Sequence, residues 1–302
     1  MRRCDHGGVT VERADAGEVI RLWPDGPPFR IEGVGAEVEY PAPGGPAVGT
    51  TFLRNISDPT LTVFAPPADR ANGVGVIVVP GGGWTLSAWT HEGLDVARWL
   101  AGAGYTAFLL KYRVQASDPD QAAFDARMAA VDGALAAPRS AAQLPRAITD
   151  LIATEEYVQA RRAAADDGRR AITVVRERAA RSGLRPDAVG MIGFSAGAFL
   201  AVDVALDPRD EPLAFVGAIY GGETLDAPVP ADAPPLFTVV AQDDLLSAIV
   251  EGLHAEWTRA DRPAELHRFA RGAHGFGMVR QGAPSDRWPD LFLAWLDDLA
   301  LR

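Results

Sequence analysis

Five residues, Gly193-Phe194-Ser195-Ala196-Gly197, limit most tightly what this chain can fold into. The apolar run before them, Ala188-Val189-Gly190-Met191-Ile192, predicts a buried strand. The run after them, Ala198-Phe199-Leu200-Ala201-Val202, opens a helix. A chain that passes from strand to helix in one sharp turn crowds its own backbone. Glycine presents no Cβ there and tolerates unusual φ/ψ angles, which accounts for Gly193 and Gly197. Ser195 is then left pointing out of the turn, at a helix N-terminus that favours developing negative charge. The pentapeptide by itself also fits a glycine-rich turn with an incidental serine, so its meaning depends on the rest of the chain.

The surrounding pattern alternates strands and helices. Residues 61–64 read as a strand stopped by Pro66-Pro67. Residues 74–79 form a continuous run rich in β-branched side chains, typical of a strand buried on both faces, and lead into Pro80-Gly81-Gly82-Gly83-Trp84. A helix over 91–103 stops at Gly104, and 105–110 is the next strand. A crossover helix over 167–182 leads into the serine turn. Strands follow at 215–220, 236–241 and 264–269, with helices near 247–260 and 286–301. This alternation predicts an α/β protein: a mostly parallel central sheet with helices on both faces, and its site at the carboxyl ends of the strands. Residues 1–60 carry Pro24, Pro27, Pro28, Pro41, Pro43 and Pro46 and read as an irregular N-terminal arm with short strands, such as 34–40. The main domain is expected over 61–302. Within it, 115–165 is Ala-rich and polar, with helical runs at 121–136 and 146–164 broken around Pro138 and Pro145. Such an insert fits a surface excursion and a partial lid equally.

A serine hydroxyl is a weak nucleophile at neutral pH and needs a base, which in turn needs an orienting group. Gln242-Asp243-Asp244 follows the 236–241 strand, and Arg271-Gly272-Ala273-His274-Gly275-Phe276-Gly277 follows the 264–269 strand. A histidine in a glycine-rich loop after the last strand can reach back over the sheet to Ser195. An acid one strand earlier can accept its other N–H. His6 and His91 precede the serine, while His254 and His267 fall in a predicted helix and strand and read as packing or surface residues. An Asp pair after a strand also serves as a turn or helix cap. Asp244 is the first choice for the acid and Asp243 the alternative. An acyl-transfer intermediate carries an oxyanion that needs fixed N–H donors. The amides of Gly82, Gly83 and Ala196 are the candidates, and Trp84 is a candidate pocket wall, with Trp89 close by. The glycine run lacks the spacing of a nucleotide-phosphate loop.

Bulk composition excludes other classes. A net charge of −11 lacks the basic footprint of a nucleic-acid binder and gives no attraction to anionic membranes. Charged residues at 23% and apolar residues at 48% fit an ordinary globular protein. Cys4 is the sole cysteine, so no internal disulfide forms. The N-terminal residues show no apolar core of a signal peptide, and no apolar run is long enough to span a bilayer. Cytoplasmic residence is therefore the default expectation, with secretion or a periplasmic location open if the chain has been trimmed.

Val78-Val79-Pro80-Gly81-Gly82-Gly83-Trp84, His91-Glu92-Gly93, Lys111-Tyr112-Arg113, Gly193-Phe194-Ser195-Ala196-Gly197, Asp243-Asp244 and His274-Gly275-Phe276-Gly277 together resemble the bacterial esterases and lipases of the α/β-hydrolase superfamily. The likeness is to the acetyl-xylan-esterase-like and dienelactone-hydrolase-like branch, over about residues 58–300, and is least in the insert. The resemblance implies the α/β-hydrolase fold and hydrolysis of short acyl esters, often acetyl groups on sugars, with no metal or organic cofactor. It places catalysis on Ser195, Asp244, His274, Gly82, Gly83 and Ala196, with a small-molecule or oligosaccharide ester as the partner. Pro80 departs from the His of many relatives. A serine peptidase of the same fold, a binding protein of this fold without turnover, and a dienelactone-type hydrolase remain as alternatives. The last often uses a cysteine nucleophile, which Ser195 at the turn and Cys4 at the far N-terminus disfavour.

Overall fold

The computed structural model describes residues 17–42, 48–136, 153–207, 212–224 and 228–301. Its strands are β1 (Val19–Arg21), β2 (Val38–Pro41), β3 (Thr51–Arg54), β4 (Thr60–Phe64), β5 (Gly75–Val79), β6 (Leu86–Ser87), β7 (Thr106–Lys111), β8 (Val189–Phe194), β9 (Val216–Ile219), β10 (Leu236–Ala241) and β11 (Ala264–Phe269). Eight of them form one sheet in the order β1-β4-β7-β5-β8-β9-β10-β11. The pairs β1/β4 and β4/β7 are antiparallel, and every pair from β7 to β11 is parallel. The helices are α1 (Asp95–Gly102), α2 (Gln121–Ala136), α3 (Glu155–Arg178), α4 (Ala196–Ala205), α5 (Ser247–Arg259) and α6 (Trp288–Asp298).

The central strands are apolar throughout because helices cover both faces. Along β5, Val76 and Val78 join one core with Val96 and Leu100 of α1 and Phe292 and Trp295 of α6. Ile77 and Val79 point the other way, into a core with Ala164 and Ala171 of α3 and Leu200 and Ala201 of α4. The period-2 alternation of a strand thus feeds two cores from one run of residues. No helix among the described residues is long and apolar enough to cross a membrane.

Three expectations need correcting at the level of elements. The N-terminal stretch is less irregular than its prolines imply. It supplies β1 to the edge of the main sheet, and β2 and β3 build a small antiparallel sheet with β6. The helix expected from His91 starts with a π-type turn, Thr90–Leu94, before α1. The third concerns the break expected between 164 and 167, which does not exist: α3 runs 24 residues without interruption. Asp167 stays inside the helix because it pairs with Arg113. Gly168 stays because a Cβ there would lie 2.6 Å from Leu200 of α4. The early part of the expected 146–164 run, and the breaks at Pro138 and Pro145, lie outside the described residues.

Candidate active site

Ser195 stands between β8 and α4, near the middle of the sheet. Its φ of 49° and ψ of −119° are unusual for a residue with a Cβ. A conformation of this kind costs about 1–3 kcal/mol and persists only where its surroundings fix it. Here the Ser195 N–H donates to Ile219 O (3.0 Å), and its carbonyl accepts from Ala198 N (2.9 Å) and Phe199 N (3.2 Å). The flanking glycines are sterically required. A Cβ on Gly193 would fall 2.0 Å from Gly197 O, and one on Gly197 would fall 2.1 Å from Val79 O.

His274 reaches Ser195 from the loop after β11, spanning the ends of β10 and β9. Its Nε2 is 2.8 Å from Ser195 Oγ. Its Nδ1 is 2.9 and 3.1 Å from the two carboxylate oxygens of Asp244, which follows β10. The Asp244 side chain is fully buried, while about a quarter of His274 remains exposed (26%). The ring is cupped by Tyr220, edge-on at a centroid distance of 5.1 Å. Burial works against a charged imidazole, but the Asp244 charge and hydrogen bond, together with the Glu92 charge, carry its pKa above the ordinary histidine value. Asp243 does something different. It is exposed, and its carboxylate accepts the amides of Gly272 (3.1 Å) and Ala273 (2.9 Å), fixing the turn that presents His274.

The glycine loop after β5 lies against the serine turn because β5 and β8 are neighbours. A Cβ on Gly81 would sit 2.7 Å from Phe194 O and 2.8 Å from Ser195 Cβ. Gly82 takes a φ of 132°, and its carbonyl accepts from Thr85 N and Leu86 N, closing a turn. Gly83 is exposed, with open space where a Cβ would be. The amides of Gly82, Gly83 and Ala196 have no acceptor among the described residues. A nucleophile, a base, an orienting acid and free backbone N–H groups therefore share one rim of the sheet.

The sequence profile of the dienelactone hydrolase family matches residues 62–288, most of the chain. The chain belongs to the dienelactone hydrolase family. Among solved structures, this dienelactone hydrolase family member is similar to an acetyl ester-xyloside bifunctional hydrolase from Caldicellulosiruptor lactoaceticus. That likeness has 22% identity and a TM-score of 0.60, over 97% of this chain and 99% of that one. It is also similar to MGS-M1, an α/β hydrolase from a Medee basin deep-sea metagenome library, with 21% identity, a TM-score of 0.58 and coverage of 80% and 92%. A fungal esterase from Rhizomucor miehei matches with 17% identity, a TM-score of 0.57 and coverage of 88% and 85%. At these identities the likeness is one of fold, and the fold is that of the α/β hydrolases. No curated protein matches the sequence significantly.

One sequence expectation fails in this dienelactone hydrolase relative. Trp84, a candidate pocket wall, is only 1% exposed. Its backbone takes a φ of 60°, and its ring lies edge-on to Tyr112 (5.9 Å) and Tyr157 (6.3 Å), so it packs in the core behind the glycine loop. Trp89 is half-buried. Two further residues have no counterpart in the sequence reading of the site. Tyr220, at the end of β9 with a φ of 42°, packs against His274 and Phe276, and Glu92 is buried beside it. Glu92 stood out only as part of His91-Glu92-Gly93, and Tyr220 only as the last residue of the strand expected over 215–220.

Proposed function

We propose that the protein is a serine carboxylic-ester hydrolase acting on short-chain acyl esters, with acetylated small carbohydrates as candidate substrates. The observation that carries this reading is the pair of hydrogen bonds in series, Ser195 Oγ to His274 Nε2 (2.8 Å) and His274 Nδ1 to Asp244 (2.9 Å). Ser195 Oγ attacks the acyl carbon while His274 takes the hydroxyl proton. Asp244 holds the imidazole in the tautomer with the proton on Nδ1 and stabilises the imidazolium. The amides of Gly82, Gly83 and Ala196 receive the oxyanion of the tetrahedral intermediate. His274 then protonates the departing alkoxide oxygen, leaving an acyl-serine. Water, deprotonated by His274, adds to the acyl carbon and releases the acid and Ser195. The family match and the acetyl ester-xyloside hydrolase neighbour support an ester substrate.

The test is a panel of p-nitrophenyl esters from acetyl to decanoyl, acetylated xylo-oligosaccharides, a simple lactone and a peptide substrate. Acetyl to butyryl esters are expected to give the highest kcat/KM. Ser195→Ala is expected to lose on the order of 10⁶ in kcat with the fold retained. A pure, folded Ser195→Ala sample keeping a tenth of wild-type activity would remove Ser195 from the mechanism. Turnover of the peptide alone would shift the reading to a peptidase.

A further inference from the structure

We propose that Glu92 is a positioning residue of this site: its buried carboxylate ties the glycine loop to the histidine loop and holds a fixed negative charge near His274. The proposal rests on the hydrolytic reading above. Glu92 is 3% exposed, in the π-type turn ahead of α1. Its Oε2 accepts the Gly81 N–H at 2.7 Å, and its Oε1 accepts the Tyr220 hydroxyl at 2.7 Å. The Tyr220 oxygen in turn accepts the Gly277 N–H at 2.9 Å. One carboxylate thus links the start of the oxyanion loop, the end of β9 and the end of the histidine loop.

The same carboxylate lies behind the nucleophile. A Cβ placed on Gly81 would sit 2.6 Å from Glu92 Oε2 and 2.8 Å from Ser195 Cβ. A Cβ on Gly275, next to His274, would come within 4.0 Å of Glu92 Oε1. Both of its oxygens thus act as acceptors in this network. A buried carboxylate is expensive unless it is paired, and no Lys or Arg among the described residues meets this one. The groups facing it are His91, whose Nε2 is 3.9 Å from Oε1, Tyr220 and Tyr112. Tyr112 donates to Pro80 O at 2.8 Å. Both tyrosines are held neutral, because burial first and the Glu92 charge next push their hydroxyl pKa values up. His274 meets Ser195, Tyr220 and Asp244, and the Glu92 charge acts on it through space. After Asp244, Glu92 is the second negative charge that favours protonated His274.

The experiment measures the rate of Ser195 phosphonylation by a fluorophosphonate probe across pH, on the full chain, with thermal melts to establish folding. The neutral imidazole is the base, so the rate rises as pH passes through the His274 pKa. In Glu92→Gln the midpoint is expected to move to lower pH by a few tenths of a unit or more, since a raising charge is gone. The plateau is expected to fall by about tenfold or more, since the glycine loop is displaced. Glu92→Asp keeps the charge but shortens the reach, so the midpoint stays near wild type and the plateau falls. Tyr220→Phe keeps the Glu92 charge and cuts the link to Gly277, with the same result. A folded Glu92→Gln protein with the wild-type midpoint overturns the proposal. If that variant does not fold, a wild-type plateau in Tyr220→Phe overturns it. Failure of the probe to label the wild-type protein at Ser195 overturns the hydrolytic reading and this proposal together.

Discussion

In the proposed hydrolysis His274 accepts a proton in one step and returns it in the next, and its surroundings favour the charged form. Asp244 and then Glu92 raise its pKa against the opposing effect of burial. With His274 as the proposed base, only its neutral form takes the serine proton, so kcat/KM is expected to rise with pH through a midpoint above the ordinary histidine value of about 6.5. Asp244→Asn removes the largest favourable charge and allows the wrong tautomer. It should move that midpoint to lower pH and cost on the order of 10⁴ in kcat. Asp243→Asn weakens only the turn held through the Gly272 and Ala273 amides, and its loss should be far smaller. The opposite ranking in steady-state kinetics would transfer the orienting role to Asp243. The order Ser195, Asp244, His274 was legible in the chain because each residue ends an obvious strand run. The choice between adjacent aspartates was not, since it depends on which one turns inward. Trp84 was misread for a related reason: its burial against Tyr112 and Tyr157 depends on packing partners that are distant in the chain. Glu92 was out of reach because Tyr220, which donates to it, lies 128 residues away.

The long helix α3 shows how pairing overrides a local signal. In the sequence, one helical run is expected to end at 164 and another to begin at 167, yet Asp167 and Gly168 are both buried in the middle of one helix. Arg113, just past β7, gives Asp167 its backbone N–H (3.0 Å) and three guanidinium hydrogen bonds at 2.8, 2.9 and 3.1 Å, and Trp23 Nε1 also donates at 2.7 Å. Neither charged side chain is more than 1% exposed. Removing one partner of such a pair leaves the other charge buried and unmatched, which costs about 3–5 kcal/mol. Asp167→Asn preserves the size of the side chain, so the loss is electrostatic. The expected result is a lower denaturant midpoint with an unchanged m-value. A midpoint equal to wild type would show that Asp167 carries little of the helix's docking. The buried strands were legible because each is a short, mostly apolar run. β1 and β6, of three and two residues, were not, since pairing partners rather than their own patterns define them.

At the scale of the whole molecule, the prolines of the N-terminal segment suggest an appendage, while its contacts make it a strap. Leu22 is fully buried, and its carbonyl accepts from Arg170 Nε at 3.0 Å. The Arg170 guanidinium lies over the Trp23 ring, and the Arg113 and Arg162 guanidinium groups lie over Phe29. Arg113 also donates to Phe29 O at 2.6 Å. These contacts join residues 84 to 148 positions apart, which no local pattern can show. A chain beginning at Ile31 would lose β1, the Leu22 packing and every one of these partners. Burial of a leucine is worth about 1.5–3 kcal/mol, and each hydrogen bond to a charged group about 1.5–3 kcal/mol. Their sum is a large part of the ~5–15 kcal/mol that stabilises an ordinary domain. The strap also bears on the site: Arg113 begins the stretch in which Gln115 N donates to Trp84 O at 2.8 Å, directly after the glycine loop. The truncated protein should therefore melt more than about 10 °C below the full chain and lose the proposed esterase activity at temperatures where the full chain is still folded. Melting within a few degrees of the full chain, with activity kept, would show instead that the segment is an ornament on a sheet that stands without it.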